Sequence, residues 1–357
     1  MSVEGWETVC LSDIATIIDC PHSTPKWTEL GYFVIRNWNV RNGRLNSDRA
    51  SYTDKKHFLE RIRRSQPEFE DLVLTREAPM GEVCMIPDGL ECCLGQRVVL
   101  LKANHQVVNP AFLLFSIQSP FVKNQINSHE GTGFTVSNLR IPAIANLEVP
   151  LPPLPIQTRI AAILSALDDK IELNRQTNAT LEAIAQAIFK EWFVDFRYPG
   201  ATGEMQDVGT GGMNWAGLEP APTHLIPKRW RVGRLGEICE LAYGKGLKSD
   251  MRVKGECPVV GSNGVVGTHN EYLVQGPGIV IGRKGTIGQV TWLHDNFFPI
   301  GTTFYIKDQL AVKGLYFHYF LLKGQDFKKI GSDSAVPGLN RNQAHDNLVI
   351  IPSKGVI

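Results

Sequence analysis

The feature that most constrains this chain is a heptad pattern between residues 156 and 196. Apolar residues there recur at alternating steps of four and three, which is the a/d spacing of a coiled coil. Asn174 and Asn178 interrupt the stripe, and polar residues at such positions fix the register of a helix pair at some cost in stability. The whole seam comprises Ile160, Leu164, Leu167, Ile171, Asn174, Asn178, Leu181, Ala185, Ile188 and Trp192.

Prolines delimit this predicted helix. Four prolines between Pro150 and Pro155 favour an extended lead-in, and Pro199-Gly200 follows the last periodic residues. Roughly 40 helical residues span about 60 Å. Because one helix cannot bury its own stripe, the pattern favours a long inter-domain helix that pairs with another. An ordinary amphipathic helix on its own domain is the alternative.

The sequences on either side of this helix repeat each other. Five segments match in the same order, which indicates a duplicated domain of more than 100 residues. The offset between the copies falls from 225 to 207, so the first copy carries 18 extra residues between positions 38 and 71. The matched segments are 6–14 with 230–238, 33–35 with 258–260, 72–83 with 279–290, 94–95 with 300–301, and 136–139 with 336–339.

Each copy has the pattern of a mixed α/β domain. Short apolar and β-branched runs predict strands at 33–35, 72–74, 98–101, 259–260, 279–281 and 302–306, and apolar runs at 111–117 and 315–322 predict short helices. We therefore predict an α/β (α+β) chain with two similar domains joined by a long coiled-coil-type helix. The predicted boundaries are 1–153 for the first domain, 154–198 for the helix, 199–224 for a Gly-rich flexible linker, and 225–357 for the second domain.

Charge is distributed unevenly along the chain. Residues 225–357 hold 17 Lys and Arg against 10 Asp and Glu, a net charge of +7 that suits a polyanion. The net charge is −2 over residues 1–150 and −4 over 151–224. Five basic residues lie between Lys55 and Arg64. A second anion-binding surface and a solvated helix face both explain this basic cluster.

Several functional classes are disfavoured. The chain has no run of 18 apolar residues and no secretory signal, and its seven Cys form no C-x-x-C pair, which predicts a cytoplasmic protein with reduced thiols. No phosphate-binding loop, dinucleotide fingerprint or metal-ligand spacing occurs. Asn109–Phe112 faintly resembles an amino-methyltransferase motif but lacks a Gly-rich cofactor loop. The sequence therefore indicates a binding protein without a cofactor, metal or catalytic residue of its own.

Two partly basic domains held apart by a rod would suit duplex DNA, which completes one turn in about 34 Å. Arg, Lys, Asn, Gln, Ser and Thr on loops or helix ends can reach base edges, although Asn in loops also serves turn geometry. Candidates in the first copy are Arg36, Asn37, Asn39, Arg41, Arg44, Lys55, Lys56, Gln96, Arg97, Asn138 and Arg140. Those in the second copy are Lys245, Lys248, Ser262, Asn263, Arg283, Lys284, Thr302, Thr303, Asn340, Arg341 and Asn342.

The central region resembles the conserved region of specificity (S) subunits of type I restriction-modification enzymes. The resemblance lies in the run 149–154, then Gln157, Ile160-Ala161, Leu164, Leu167-Asp168, Ile171-Glu172, Leu181, 187–189 and 192–196. It implies that the flanking repeats are target recognition domains, each reading half of a bipartite site in double-stranded DNA. It also implies docking of two methyltransferase (modification) subunits, which bind S-adenosylmethionine and methylate adenine. Separate restriction subunits would use ATP and Mg²⁺.

Members of that family continue into a second conserved helix, whereas this sequence ends at Ile357. We expect the seam to be closed in trans, by self-association with another S chain or by a modification subunit. A truncated, poorly functional product is the alternative. Two other hypotheses are a structural scaffold that joins two partners through the helix without touching DNA, and a methyltransferase with its own cofactor.

Overall fold

A 40-residue helix, Leu154–Phe193, runs through the middle of the chain. The computed structural model describes residues 5–129, 138–209, 225–311, 314–330, 338–353 and 355–357. The chain divides into two compact units, Met1–Gln176 and Thr177–Ile357, and the boundary falls inside this helix. The helix begins at the predicted residue, Leu154, but ends at Phe193 instead of 198. Two backbone amides, those of Val194 and Asp195, close on the Lys190 carbonyl there, and Phe196 turns into the left-handed region at φ 59°.

Unit 1 begins with short strands and places its helices in its second half. In chain order its elements are β1 (Glu7–Cys10), α1 (Leu11–Ile14), β2 (Ala15–Asp19), β3 (Trp27–Thr28), β4 (Tyr32–Ile35), a 3₁₀ turn (Asn37–Asn39), β5 (Val40–Arg41), β6 (Arg44–Leu45), β7 (Tyr52–Thr53), α2 (Lys55–Arg61), β8 (Leu72–Thr75), β9 (Val83–Met85), β10 (Cys92–Leu94), β11 (Val98–Ala103), α3 (Pro110–Gln118), α4 (Pro120–Asn127), α5 (Ile141–Ala145), β12 (Glu148–Leu151) and the first part of α6 (Leu154–Phe193).

The core of unit 1 forms around an antiparallel sheet with strand order β2-β11-β8-β9. All four residues of β8 are buried, which explains why its first three, Leu72–Leu74, are consecutive apolar residues. Helices α3 and α4 cover one side of this sheet with Phe112, Leu113, Val122 and Ile126. On the other side lies a second sheet, β10-β4-β7-β3, in which β10 and β4 run parallel. Strand β12, just before α6, pairs antiparallel with β1.

Unit 2 starts inside α6 and is again mixed α/β. Its further elements are β13 (Met205–Asp207), β14 (Leu225–Pro227), β15 (Arg231–Arg234), a 3₁₀ turn (Leu235–Glu237), β16 (Cys239–Tyr243), a 3₁₀ turn (Ser249–Met251), β17 (Cys257–Gly261), β18 (Gly264–His269), β19 (Gly278–Gly282), β20 (Val290–Leu293), β21 (Phe298–Pro299), β22 (Thr303–Asp308), α7 (Tyr316–Lys323), α8 (Arg341–His345) and β23 (Leu348–Ile351).

Unit 2 repeats the main sheet of unit 1, which confirms the duplication, although its second sheet, β18-β17-β21, has three strands instead of four. Its main sheet has the order β16-β22-β19-β20, and β15 pairs antiparallel with β23 as β1 does with β12. Individual hydrogen bonds repeat as well. The Leu139 amide donates to the Arg76 carbonyl, and the Leu339 amide donates to the Arg283 carbonyl. The matched residues Val136 and Val336 lie outside the described part of the chain.

Part of the predicted linker is structured. Met205–Asp207 pair antiparallel with Leu225–Pro227, and Gln206 donates from Nε2 to the Trp230 carbonyl at 2.6 Å. Gly and polar composition did not indicate this, because the strand is fixed by a partner that follows 18 residues later. The linker prediction therefore does not apply to these three residues. Residues 210–224 lie outside the described ranges.

Helix α6 is anchored within each unit but exposed between its anchors. In unit 1, Gln157 and Ala161 are buried. In unit 2, Phe189 and Phe193 pack against Phe317. The predicted seam residues that are exposed are Leu164, Leu167, Ile171, Asn174, Asn178, Leu181 and Ile188, whereas Ile160, Ala185 and Trp192 are half-buried. Over the described residues, no helix is long and apolar enough to span a membrane.

Candidate nucleic-acid interface

In unit 1 an arginine lies between two tryptophans. The Cζ atom of Arg36 is 3.7 Å from the Trp38 ring centroid and 4.8 Å from that of Trp27. Burial, followed by the nearby Arg97 charge, lowers the pKa of Arg36 from its ordinary value. Trp27 is 42% exposed. The sandwich holds a planar cation beside an exposed ring, a combination suited to nucleic-acid bases and phosphates.

A second group of predicted residues gathers around Glu77. Arg97 Nε lies 3.3 Å from Glu77 Oε2, and Asn138 donates from Nδ2 to Glu77 Oε1 at 2.7 Å. Gln96 donates to the carbonyl of His22. Gln96, Arg97 and Asn138 are all exposed. The structure therefore brings these three candidates, which are distant in sequence, to one edge of unit 1.

Other candidates in unit 1 are used inside the fold. Asn37 is buried and donates from Nδ2 to the Ala78 carbonyl at 2.7 Å. Asn39, 1% exposed, accepts from the Arg36 amide and donates to the Asn46 carbonyl. These side-chain groups already have partners, so we withdraw both residues from the interface.

Arg44 is also placed differently from the prediction. Its guanidinium binds Asp168 and Asp169 on α6, so its donors are used by carboxylates of its own unit. Arg41 donates to the carbonyls of Asn37 and Val40. The remaining candidates are exposed: Lys55 and Lys56 open α2, and Arg140 lies two residues after Asn138 and precedes α5.

In unit 2 the candidate residues collect around a tyrosine. The Cζ atoms of Arg283 and Arg341 lie 5.3 and 5.1 Å from the centroid of the Tyr243 ring. Arg283 donates from Nη2 to the Gly301 carbonyl at 2.8 Å. Within the described residues neither arginine has a carboxylate partner, and the buried Nε of each has no hydrogen-bond acceptor. Tyr243 is 50% exposed, so two cations share one accessible ring.

The neighbours of this cluster divide into structural and accessible residues. Ser262 is buried, with its hydroxyl within hydrogen-bonding distance of the Lys284 and Thr302 carbonyls. Thr303 is fully buried and donates to the Ile300 carbonyl, and Asn340 accepts from two amides at the start of α8. These three positions form the frame of the site. The exposed candidates are Lys245, Lys248, Asn263, Lys284 and Asn342, and Thr302 is half-buried.

Sequence reasoning overlooked Trp27 and Tyr243. The available signal was an aromatic residue close to glycine and basic residues, as in Tyr243-Gly244-Lys245. An isolated aromatic residue is usually assigned to the core, so its neighbours in space were needed to identify it.

The described residues offer little for catalysis. They contain no group of three or more His, Cys, Asp or Glu side chains that could hold a metal ion. All seven cysteines have free thiols. Burial raises the pKa of Cys93 to about 11 and that of Cys239 to about 12, so these thiols remain protonated at neutral pH.

Comparison with known proteins matches both units. Residues 3–183 and 227–354 match the model of the type I restriction modification DNA specificity domain. The chain is 38% identical over 104 residues to the HindI specificity subunit of Haemophilus influenzae, covering 28% of this chain and 22% of that protein. It is 30% identical over 173 residues to the MjaIX specificity subunit of Methanocaldococcus jannaschii, covering 48% and 36%. These matches span about a fifth to a third of the length of the two relatives.

A solved structure shares the fold. The type I restriction-modification S subunit from M. genitalium superposes with a TM-score of 0.62 at 19% identity, covering 99% of this chain and 86% of that chain. The family match extends over most of both repeated units, whose main sheets have the same strand order. The chain therefore belongs to the family of type I restriction modification DNA specificity domains.

Proposed function

We propose that this chain is the non-catalytic DNA sequence-specificity subunit of a type I restriction-modification system, in which each unit reads one half of a bipartite site. One observation carries the proposal: both units present clustered arginine and aromatic side chains, beside the second sheet in unit 1 and beside the main sheet in unit 2. Arginine forks pair with guanine edges and phosphates, and exposed rings contact bases or sugars.

The two clusters are built from non-equivalent positions. By the repeat offset of 225, Arg36 and Trp38 of unit 1 correspond to Gly261 and Asn263 of unit 2. Arg341 opens α8, and the residue that opens α5 in unit 1 is Ile141. Two units with equivalent main sheets but different contact residues would read different base sequences. This favours a bipartite site whose two halves differ in sequence.

We further propose that α6 docks the methyltransferase subunits. Unit 1 exposes Leu167 by 57% and Ile171 by 48%, and unit 2 exposes Leu181 by 57%. In unit 2 the end of α6 and the helix α7 border an apolar cavity of about 430 Å³, lined by Ile188, Trp192, Tyr316 and Phe320 among others. Exposed apolar residues at heptad spacing suit a helical partner. In this proposal the partners bind S-adenosylmethionine, and restriction subunits with ATP and Mg²⁺ join the same complex.

A salt titration tests DNA recognition. The chain would be purified with its methyltransferase subunit and mixed with duplex DNA between about 50 and 200 mM salt, where phosphate contacts make log K fall linearly with log salt. Mapping methylated adenines in a host that carries both proteins would then give the site. Two sequence blocks separated by a fixed unspecified gap are expected; a single continuous block would contradict the bipartite reading.

The exposed helix residues also favour the scaffold hypothesis, in which the chain joins partners without contacting DNA. The methyltransferase subunit alone is the matched control in the same titration. A scaffold would leave its DNA affinity and methylation pattern unchanged, whereas a specificity subunit would confer both sequence selectivity and a steeper salt dependence.

A further inference from the structure

The two units carry an arginine at the same place in the fold. Arg76 follows β8, and its amide donates to the Arg97 carbonyl just before β11. Arg283 follows β19, and its amide donates to the Thr302 carbonyl just before β22. The first strand of each main sheet lies two strands away, and it ends at Asp19 in unit 1 and at Tyr243, 224 positions later, in unit 2. The backbone around the arginine is therefore equivalent in the two units, but the residue that faces the arginine differs.

In unit 1 the arginine is fully engaged. Arg76 places Nη1 2.8 Å from Asp19 Oδ1 and donates from Nε to the Leu139 carbonyl at 3.0 Å. Its Nη2 lies 3.5 Å from Asn138 Oδ1. The side chain is only 12% exposed. The Asp19 carboxylate neutralises the charge of Arg76, and all three guanidinium nitrogens have acceptors. Few N–H donors are therefore left to bind an external anion.

In unit 2 the equivalent arginine keeps donors available. Within the described residues, the Arg283 side chain makes one hydrogen bond, from Nη2 to the Gly301 carbonyl, and it rests on the Tyr243 ring. An aromatic face attracts a cation through the quadrupole of the ring. It does not accept hydrogen bonds from the N–H groups that lie in the plane of the guanidinium. Arg341 approaches the same ring and makes no side-chain hydrogen bond within the described residues. Among the described residues no carboxylate pairs with either guanidinium group, so Tyr243 positions both groups without neutralising their charge.

We propose, as an extension of the proposed DNA recognition, that the residue ending the first sheet strand selects whether each unit's framework arginine contacts DNA. Asp19 holds Arg76 in an ion pair inside unit 1, so Arg76 does not contact DNA. Tyr243 presents Arg283 and Arg341 to the second half-site, where the pair reads guanine through its O6 and N7 acceptors. Tyr243 is thus a positioning residue, and Arg283 and Arg341 are the residues that contact bases.

Substitutions at Tyr243 in the complex with the methyltransferase subunit test this. Tyr243→Phe keeps the ring and is expected to bind within about twofold of the parent. Tyr243→Asp recreates the unit 1 arrangement and captures Arg283, so affinity should fall at least about tenfold, as in Arg283→Ala, since one bidentate base contact is worth this much. Tyr243→Asn is the matched control, because it also lacks the ring but brings no charge, and it should lose less than Tyr243→Asp.

The readout is affinity for duplexes with the second half-site intact, or with its guanines replaced by 7-deazaguanine, which lacks the N7 acceptor. The parent should lose affinity on the replaced duplex, and Tyr243→Asp should no longer distinguish the two. Thermal unfolding and recognition of the first half-site report whether each variant is folded. Equal affinity of the Asp and Asn variants would overturn the selection role of this position. If the parent itself bound no duplex in a salt-dependent way, the proposed function would fail instead.

Discussion

Within unit 1, Arg44 Nη2 lies 2.6 Å from Asp168 Oδ2, which ties the β5–β6 hairpin to the long helix. A second oxygen, Oδ1 of Asp169, lies 2.8 Å from the same nitrogen. The carboxylates raise the pKa of Arg44 against the opposing effect of its burial. The sequence suggested that Arg44 contacts DNA, whereas the structure joins it to the two carboxylates on α6.

Arg44→Ala should lower stability slightly and leave DNA binding unchanged. The pair is partly exposed, with side-chain exposures of 38% and 33%, so the loss in the free energy of unfolding should stay below about 1 kcal/mol. Urea unfolding measures this loss. The slope of log K for DNA against log salt should match that of the parent, whereas removing a phosphate contact would reduce the slope by about 1. Lys56→Ala, at an exposed site that makes no ion pair within the described part of the chain, is the comparison.

Gln157→Leu should destabilise unit 1 strongly. The Gln157 side chain is 1% exposed, accepts from the Asn109 amide at 2.8 Å, and donates to the carbonyls of Val107 and Pro152. Leucine would leave these backbone groups buried without partners, at a cost of roughly 2–4 kcal/mol in the free energy of unfolding. Chemical denaturation measures the cost. Gln176→Leu, at an exposed position of the same helix, should change stability by less than about 0.5 kcal/mol.

Unit 2 should lose stability as the pH falls below 6.5. Burial lowers the pKa of His318 from 6.5, and this effect outweighs Asp308, whose Oδ1 lies 3.1 Å from Nε2. A histidine with a depressed pKa in the folded state contributes stability above its unfolded pKa and loses it as the pH falls through and below that value. The loss approaches about 1.4 kcal/mol per pH unit for one proton.

Denaturant unfolding of the chain from pH 8 to pH 5 tests this dependence. His318→Gln should lower stability at pH 8 but flatten the pH dependence below 6.5. His294→Gln, at an exposed site of the same unit, should retain the parental slope. An unchanged slope in His318→Gln would assign the pH dependence to another group, such as His345, whose pKa is also lowered by burial and then by Arg341.

Leu167→Asp should prevent assembly without unfolding the chain. Leu167 is 57% exposed and belongs to the predicted seam, so a carboxylate there costs little in the free chain but would be desolvated against a helical partner. The unfolding free energy should change by less than about 0.5 kcal/mol, whereas co-purification with the methyltransferase subunit should be lost. Ala166→Asp, an exposed neighbour outside the seam, should still co-purify. Parental stoichiometry in Leu167→Asp would exclude this face as the docking surface.

Much of the fold could be predicted because its signals are local or repeated. The apolar run Leu72–Leu74 became the fully buried strand β8, and its match at 279–281 became β19. The heptad spacing from Ile160 to Trp192 predicted the long helix, and the prolines before it placed its start near Leu154. Strand order could not be predicted, because pairings such as Glu7 with Leu151 join residues at opposite ends of a unit.

The candidate site was less predictable because its chemistry depends on distant partners. Arg44 resembled a free loop arginine until the fold placed it against Asp168, 124 residues away. Asn is a common residue type in recognition loops, but the side-chain amide of Asn39 closes the local turn. The cluster at Tyr243 depends on Arg283 and Arg341, which follow 40 and 98 positions later.

The match between the two sheets has an evolutionary consequence. The strand orders of the two main sheets agree, whereas Arg36 and Arg341 stand beside different loops and rest on different rings. Mutations in those loops would alter the DNA recognition of one unit without changing its core or the other unit. New target sequences could therefore arise by remodelling or exchanging a single half, without redesigning the machinery that the halves share.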